Sequence, residues 1–298
     1  MTFNEFILTN EVTIRLSFFF GVFAIMAIWE VIAPRRALTV SKTIRWVNNL
    51  GLVFFNTFVL RILFPAAAVG VAAFAETHGW GLLNYYELPD FYLPELLAIV
   101  IAVVAMDFII YLQHVMVHAV PLLWRIHRVH HADLDYDVTT GARFHTIEII
   151  LSMLIKFATI IVLGAPVVAV VIFEVVLNAL AMFNHGNVGL PKSLDTFLRC
   201  FIVTPDMHRV HHSVEDDETN SNFGFNLTWW DRLFGTYRDQ PRGGQLGFTI
   251  GIHKYRDIKQ TNWITDMMML PFKGKVSEYA INTRNWDKEW NSQQKTED

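Results

Sequence analysis

The chain has 298 residues, of which 53% are hydrophobic, 14% aromatic and 17% charged. Soluble domains carry about 25% charged residues, so this shortfall points to a bilayer, and the net charge of -4 argues against a nucleic-acid surface. One cysteine, Cys200, excludes a disulfide scaffold and any cysteine-based zinc or iron–sulfur site, and it is read as a small buried apolar residue.

The opening segment, MTFNEFILTNEVTIR, has no basic n-region and no small-residue cleavage site, so no cleaved signal peptide is expected. Residues 16–32 form an apolar run that Pro34 stops, close to the roughly 20 residues a bilayer requires. A second span is expected over about 50–74, with Arg61 as its one charge, and a third over about 92–112, interrupted by Glu95 and Asp107. Two shorter apolar pieces, 147–163 and 167–183, are split by Gly164-Ala165-Pro166, a turn signal, and are expected to form a hairpin that stops short of a full crossing. Lys156 and Glu174 lie within these pieces. Charges in lipid are costly unless paired, so both are read as facing protein or the interface.

Arg35, Arg36, Lys42 and Arg45 separate the first two spans, while Glu76, Glu87, Asp90 and Glu95 separate the second from the third. The positive-inside rule then puts the first loop in the cytoplasm, and the third span returns the chain there at about Gln113. The expected fold is an all-α integral membrane helical bundle, with three full spans plus a helical hairpin and a cytoplasmic histidine-rich helical cap. Its expected parts are an N-terminal transmembrane region (1–106), a histidine-box region (107–240) and a C-terminal cytoplasmic tail (241–298). In the last two parts, Trp229 and Trp230 read as interface anchors, the acidic run 215–218 as a solvated loop, and the Met-rich stretch 263–270 as core or interface packing.

Twelve histidines are present, and eight fall in three boxes: His114 and His118 in HVMVH, His127, His130 and His131 in HRVHH, and His208, His211 and His212 in a second HRVHH. On a helix each box spreads its imidazoles over about 100° of arc, so each can offer two or three nitrogens to one point. Thr204 and Pro205 suit the start of the helix bearing the last box. Eight nitrogens exceed the needs of one first-row ion, so two metals follow. His145 and His185 flank the hairpin on the same expected side, and either can complete a coordination sphere. Asp107, two turns before His114 on one helix face, reads either as an acceptor orienting a ligand ring or as a helix-end polar residue. His78 and His253 stand alone and read as ordinary polar residues. Imidazole-only sets suit zinc, iron, copper or nickel. Hydrolytic zinc needs an acid or base among the boxes, and none of the boxes contains one.

From about 107 to 238 the pattern D-x6-HxxxH, HRVHH followed by DVTTGARFHTIE, NHGN, TPDMHRVHH and WWDRLFGTYR resembles the fatty acid hydroxylase/sterol desaturase superfamily, and within it bacterial-type sterol desaturase family members. The resemblance implies a non-haem di-iron, O2-dependent oxidoreductase that hydroxylates or desaturates a lipid. It implies metal ligation by His114, His118, His127, His130, His131, His208, His211 and His212, with His145 and His185 matching further histidines of the superfamily, and no catalytic side chain beyond the ligands. The cofactors implied are two iron ions, with zinc as the alternative occupant of a purified protein, and O2 as co-substrate. No Rossmann glycine motif, haem motif or cysteine cluster is present, so electrons are expected from a separate ferredoxin-, cytochrome- or flavin-type donor. The expected location is a bacterial inner membrane with the boxes on the cytoplasmic side. Two other readings stand beside this one: a membrane metal-binding or transport protein, which would place its ligands near the bilayer midplane, and a di-zinc enzyme of the same fold.

Overall fold

A computed structural model describes residues 3–84, 94–274 and Ile281. Glu87 and Asp90, the first residues of the expected third span and most of the tail beyond 274 lie outside the described residues. Among the described residues the chain is helical, with isolated β-bridges and no strand. A short α1 (Phe3–Thr9) leads into α2 (Glu11–Ile32). Then come α3 (Lys42–Leu63) with its continuation α4 (Ala67–Thr77), α5 (Glu95–Ala119), α6 (Pro121–His131) and the pair α7 (Thr146–Leu163) and α8 (Val167–Asn184). Five of these segments are long and apolar enough to cross a membrane: α2, α3–α4, α5, α7 and α8. The chain is an integral membrane protein.

At 18 residues each, α7 and α8 are about 27 Å long, close to the roughly 30 Å hydrocarbon core. The hairpin therefore has the length of a crossing pair, which apolar runs judged one residue at a time understate. Gly164 makes its turn in the left-handed region (φ 62°), where an added Cβ would lie 2.6 Å from the Trp80 carbonyl. Pro166 precedes α8 and blocks continuation of α7. A second break, between α3 and α4, falls at Phe64–Pro65 and ends on Ala67 with φ 51°.

Phe18, Phe20, Ile25 and Ile28 of α2 are more than half exposed, an apolar face suited to lipid. The bundle interior is built from α4, α5, α7 and α8, where Ala68, Ala72, Ala102 and Ala169 pack around Ile160 and Phe173. Small residues let helices approach where lipid offers no hydrophobic drive for association. Lys156 and Glu174 are paired at 2.7 Å, and Glu174 also meets Arg15 at 3.0 Å.

The basic residues after α2 clamp the histidine-rich cap onto the spans. Arg45, fully buried, binds both oxygens of Asp133 at 2.8 Å and also Asp137. Arg35 pairs with Asp206, and Arg36 donates to the carbonyls of Gln245 and Phe248. Glu30 accepts the backbone N–H groups of Val138 and Asn187. In the tail, Met267 and Leu270 are buried against Leu52, Trp124 and Val129, which is core packing. Two readings, of the acidic run 215–218 and of Cys200, are corrected. The acidic run is not a solvated loop, because Asp217 pairs with Arg238 and Arg242, and Glu218 is buried and accepts the Arg242 N–H. Cys200 is exposed, its Sγ held to the Thr196 carbonyl by the helix turn.

Replacing Arg45 with alanine strands two buried carboxylates, and losing one partner of a buried pair costs about 3–5 kcal/mol. The thermal midpoint in detergent is expected to fall by many degrees, whereas Arg15→Ala, at a part-exposed pair, shifts it much less.

Candidate metal centre

Nine imidazoles converge in the cap, in two groups. His114, His118, His127, His131 and His211 form one; His130, His185, His208 and His212 form the other. Within each group one nitrogen per ring lies within 4.8 Å of all the others, and every ring is buried. The two HRVHH copies sit at the end of α6 and on α10 (Pro205–His211). Neither copy aims at one point, as the sequence had suggested. His127 and His131 serve the first group while His130 serves the second; His208 and His212 serve the second while His211 serves the first. Thr204 stands at the start of α10, yet its hydroxyl makes no capping bond; Pro205 takes the first helical position, and Asp206 holds Arg209 and Arg35.

The outer nitrogens fix the tautomers. Nδ1–H of His114 donates to the Phe223 carbonyl at 2.8 Å, that of His211 to the Ser221 carbonyl at 2.7 Å, and that of His185 to the Ala181 carbonyl at 2.9 Å. His127 donates from Nδ1 to Glu148 Oε1 at 2.6 Å, and His118 to Asn220 Oδ1 at 3.2 Å. A carbonyl can only accept, so these neutral rings carry their lone pair on Nε2. Those lone pairs point inward. His131 Nε2 lies 3.2 Å from Nε2 of both His118 and His127, and His185 Nε2 lies 3.3 Å from that of His130 and 3.1 Å from that of His208. Facing lone pairs repel unless a proton or a cation lies between them, and a single ring proton on His131 serves only one of its two neighbours, whereas a cation among the rings serves them all. Two nitrogens on one ion at the roughly 2.0–2.1 Å typical of imidazole on zinc stand roughly 2.9–3.4 Å apart, which matches. Nε2 of His114, His211 and His212 is buried with no hydrogen-bond partner, a further sign of a donor set made for metal.

Charge agrees. Burial first, and then neighbouring imidazoles, hold His130, His131, His208, His211 and His212 well below the usual imidazole value. Burial takes His185 down to about 3. Neutral rings are the ligating form.

Two expected participants lie elsewhere. His145 is the N-cap of α7: its Nδ1 accepts from the Ile147 N–H, and its Nε2–H donates to the Met268 carbonyl. Both nitrogens are occupied, and it joins neither group. Asp107 orients no ring. Its Oδ2 accepts from Trp230 Nε1 at 2.8 Å and from the Leu227 N–H at 3.2 Å, so Trp230 serves as a tie rather than an interface anchor. Asp231 accepts the N–H groups of Phe223 and Gly224, and burial pushes its carboxyl up to about 6. The WWDRLFG stretch thereby holds the loop that offers the Phe223 and Ser221 carbonyls to the rings. Glu148 is the functional side chain that spacing alone did not single out. It stands inside RFHTIE, but only packing shows that it faces His127.

A cavity of about 390 Å3 meets both groups: His114, His127 and His130 lie on its wall with Phe144, Val117 and Met182, and it runs between α3, α7 and α8 to Arg61, Lys156 and Glu174. Ligand pockets commonly span roughly 300–1,000 Å3 with mostly apolar walls. Gly141 closes in here, since a Cβ would meet the Ala181 carbonyl at 2.7 Å and His185 Nδ1 at 3.0 Å.

Residues 99–236 match the fatty acid hydroxylase family. The chain is 28% identical to the ornithine lipid hydroxylase OlsE of Rhizobium tropici over 74% of its own length and 65% of that protein's. It is also 28% identical to the alkylglycerol monooxygenase of Xenopus tropicalis, over 71% of this chain and 46% of that one. With the cholesterol 25-hydroxylase of Rattus norvegicus it shares 24% identity over 54% and 53%. The matched region thus spans less than two thirds of the length of these relatives. No solved structure matches. The matched segment, a little under half of the chain, contains every histidine of both groups, and it is this histidine-bearing part of the chain that is similar to the fatty acid hydroxylase superfamily.

Proposed function

We propose that the protein is a non-haem di-iron, O2-dependent oxidoreductase that hydroxylates a membrane lipid, with residues 107–240 as its catalytic unit. The observation that carries this reading is the single apolar cavity wall on which histidines of both groups meet. His114, His118, His127, His131 and His211 would hold one ion, and His130, His185, His208 and His212 the other. Bound iron supplies the redox chemistry with O2 that attacks an unactivated C–H bond. The side chains do the rest. Glu148 and the carbonyls of Phe223, Ser221 and Ala181 keep the ring protons on the outer nitrogens. Phe144 and Val117 exclude water and lay an apolar chain against the rings. Three relatives are named as hydroxylases or monooxygenases of lipids, which favours hydroxylation over desaturation. Electrons would come from a separate ferredoxin-, cytochrome- or flavin-type donor. The basic residues between α2 and α3 favour a cytoplasmic site, at the face of a bacterial inner membrane.

The direct test is metal analysis of purified protein, followed by O2 uptake and lipid mass spectrometry with a reductase and a lipid extract. One iron per histidine group and a lipid heavier by one oxygen atom are expected; an O2-inert protein overturns the reading. A di-zinc enzyme is the second reading. Glu148 favours it, because Oε1 reaches His127 while Oε2 has no hydrogen-bond partner and the residue lines the cavity, as a general base would. Zinc-dependent turnover without O2 would select it.

Two substitutions probe the ligand assignment. His185→Ala removes one of four nitrogens from the second group and is expected to lower the metal content by about one ion while abolishing turnover. His145→Ala leaves the metal content unchanged. Glu148→Gln exchanges a charged acceptor for a neutral one and should weaken metal affinity roughly 10–100-fold, measured by competition with a chelator.

A further inference from the structure

The far end of the cavity is polar. Lys156 and Arg15 both hold Glu174, and Arg15 also binds Glu11 at 2.9 Å. Arg61 lies on the same wall, and among the described residues it has no hydrogen bond or ion pair. Three cations thus face two carboxylates, leaving one positive charge in excess within the membrane-spanning region. Intramembrane charges are sustained by partners, and Arg61 feels Glu174 only at a distance, since Lys156 and Arg15 take that carboxylate in direct contact. Ser152 and Asn178 line the same wall and add hydroxyl and amide groups. Along α7, Lys156 stands eight residues beyond Glu148, about 12 Å of helix.

We infer that this end is an oxyanion-binding subsite centred on Arg61, which takes the carboxylate or phosphate of a single-chain amphiphile. The inference rests on the cavity being the substrate chamber, and it narrows the substrate class to anionic amphiphiles. The charged group anchors at Arg61 beside the Lys156–Glu174–Arg15 network, and the chain runs back to His114, His127 and His130. The carbon presented to the histidine groups is then remote from the charged group, about 12 Å away by the helix rise. Lys156 and Arg15 hold both oxygens of Glu174, so its attraction for Arg61 stays long-range and leaves the guanidinium donors open.

Binding tests this without turnover. Full-length protein in phosphatidylcholine nanodiscs is titrated with isotopically labelled oleate, oleoyl lysophosphatidate and oleyl alcohol. At least one of the two anions is expected to bind about tenfold tighter than the alcohol, the scale of one charge-assisted hydrogen bond. Arg61→Gln removes that preference, and Arg61→Lys keeps most of it. A preference confined to oleate assigns a carboxylate, and one confined to lysophosphatidate a phosphate; either supports the subsite. Equal binding of all three probes by the unaltered protein, or a preference that survives Arg61→Gln, overturns it. The readout needs neither iron nor O2, so a protein that fails as an oxygenase can still pass here, and one that hydroxylates lipid can still fail.

Discussion

A helix turns about 100° per residue, so side chains at i and i+4 stand about 40° apart while i+3 stands about 60° to the other side. The geometry of the centre follows from that rotation. A pentapeptide with histidines at its first, fourth and fifth positions spreads them over about 100° of arc, and in this fold it does not direct all three at one place. It divides them, first with last, and middle apart. The copy on α6 gives two rings to the first group and one to the second, and the copy on α10 does the reverse. His114 and His118, four apart, both join the first group, and His185 completes the second. One repeated sequence, met twice across a gap, therefore makes two sites.

Convergence of so many bases is stable only if each ring stays neutral and turns the same nitrogen inward. The acceptors that enforce this come mostly from backbone: Phe223 and Ser221 in one loop, Ala181 at the end of α8. Their positions depend on side chains that never approach the rings. Asp231 holds the N–H groups of Phe223 and Gly224, and Asp107 reaches across from α5 to Trp230 and Leu227. The buried Arg45–Asp133–Asp137 cluster does the same for the segment after α6. The convergence is made by imidazoles, and its precision rests on carboxylates one layer out.

This division explains what could be read from the residues and what could not. Box spacing, helix class and the apolar runs are local properties, and each appears in the fold. The partition of each box was implicit in the same helix angles, but seeing it required the facing helix. Asp107 lies on the helix face that the spacing assigned, yet its partners are 120 and 123 residues away. His145 stands among ligand-like motifs, but it opens a helix: the N-cap bond takes Nδ1 and the Met268 carbonyl takes Nε2, the nitrogens a metal would need. Carbonyl acceptors have no sequence signature at all. The basic run from Arg35 to Arg45 carried a topological reading, and the fold shows the same charges bound to Asp206, to carbonyls and to Asp133; one composition satisfies two constraints.

Hydropathy treats the spans as interchangeable, and the cavity shows why they are not. Apolar helices in lipid gain little by choosing one register over another, because tails and side chains are equally apolar. A charge at depth changes that, since it must find its partner at its own level. Glu174 of α8 is met by Lys156 of α7 and Arg15 of α2, so three spans are fixed in relative height at one depth. Asn56 of α3, bonded to Thr146 and to the Phe144 carbonyl, fixes a fourth at the histidine end. The cavity runs between these two polar levels. Its length is therefore set by a few polar side chains, while the apolar majority sets only its width, and the distance from the histidine-bearing wall to the far end follows from where those polar contacts lie along the spans.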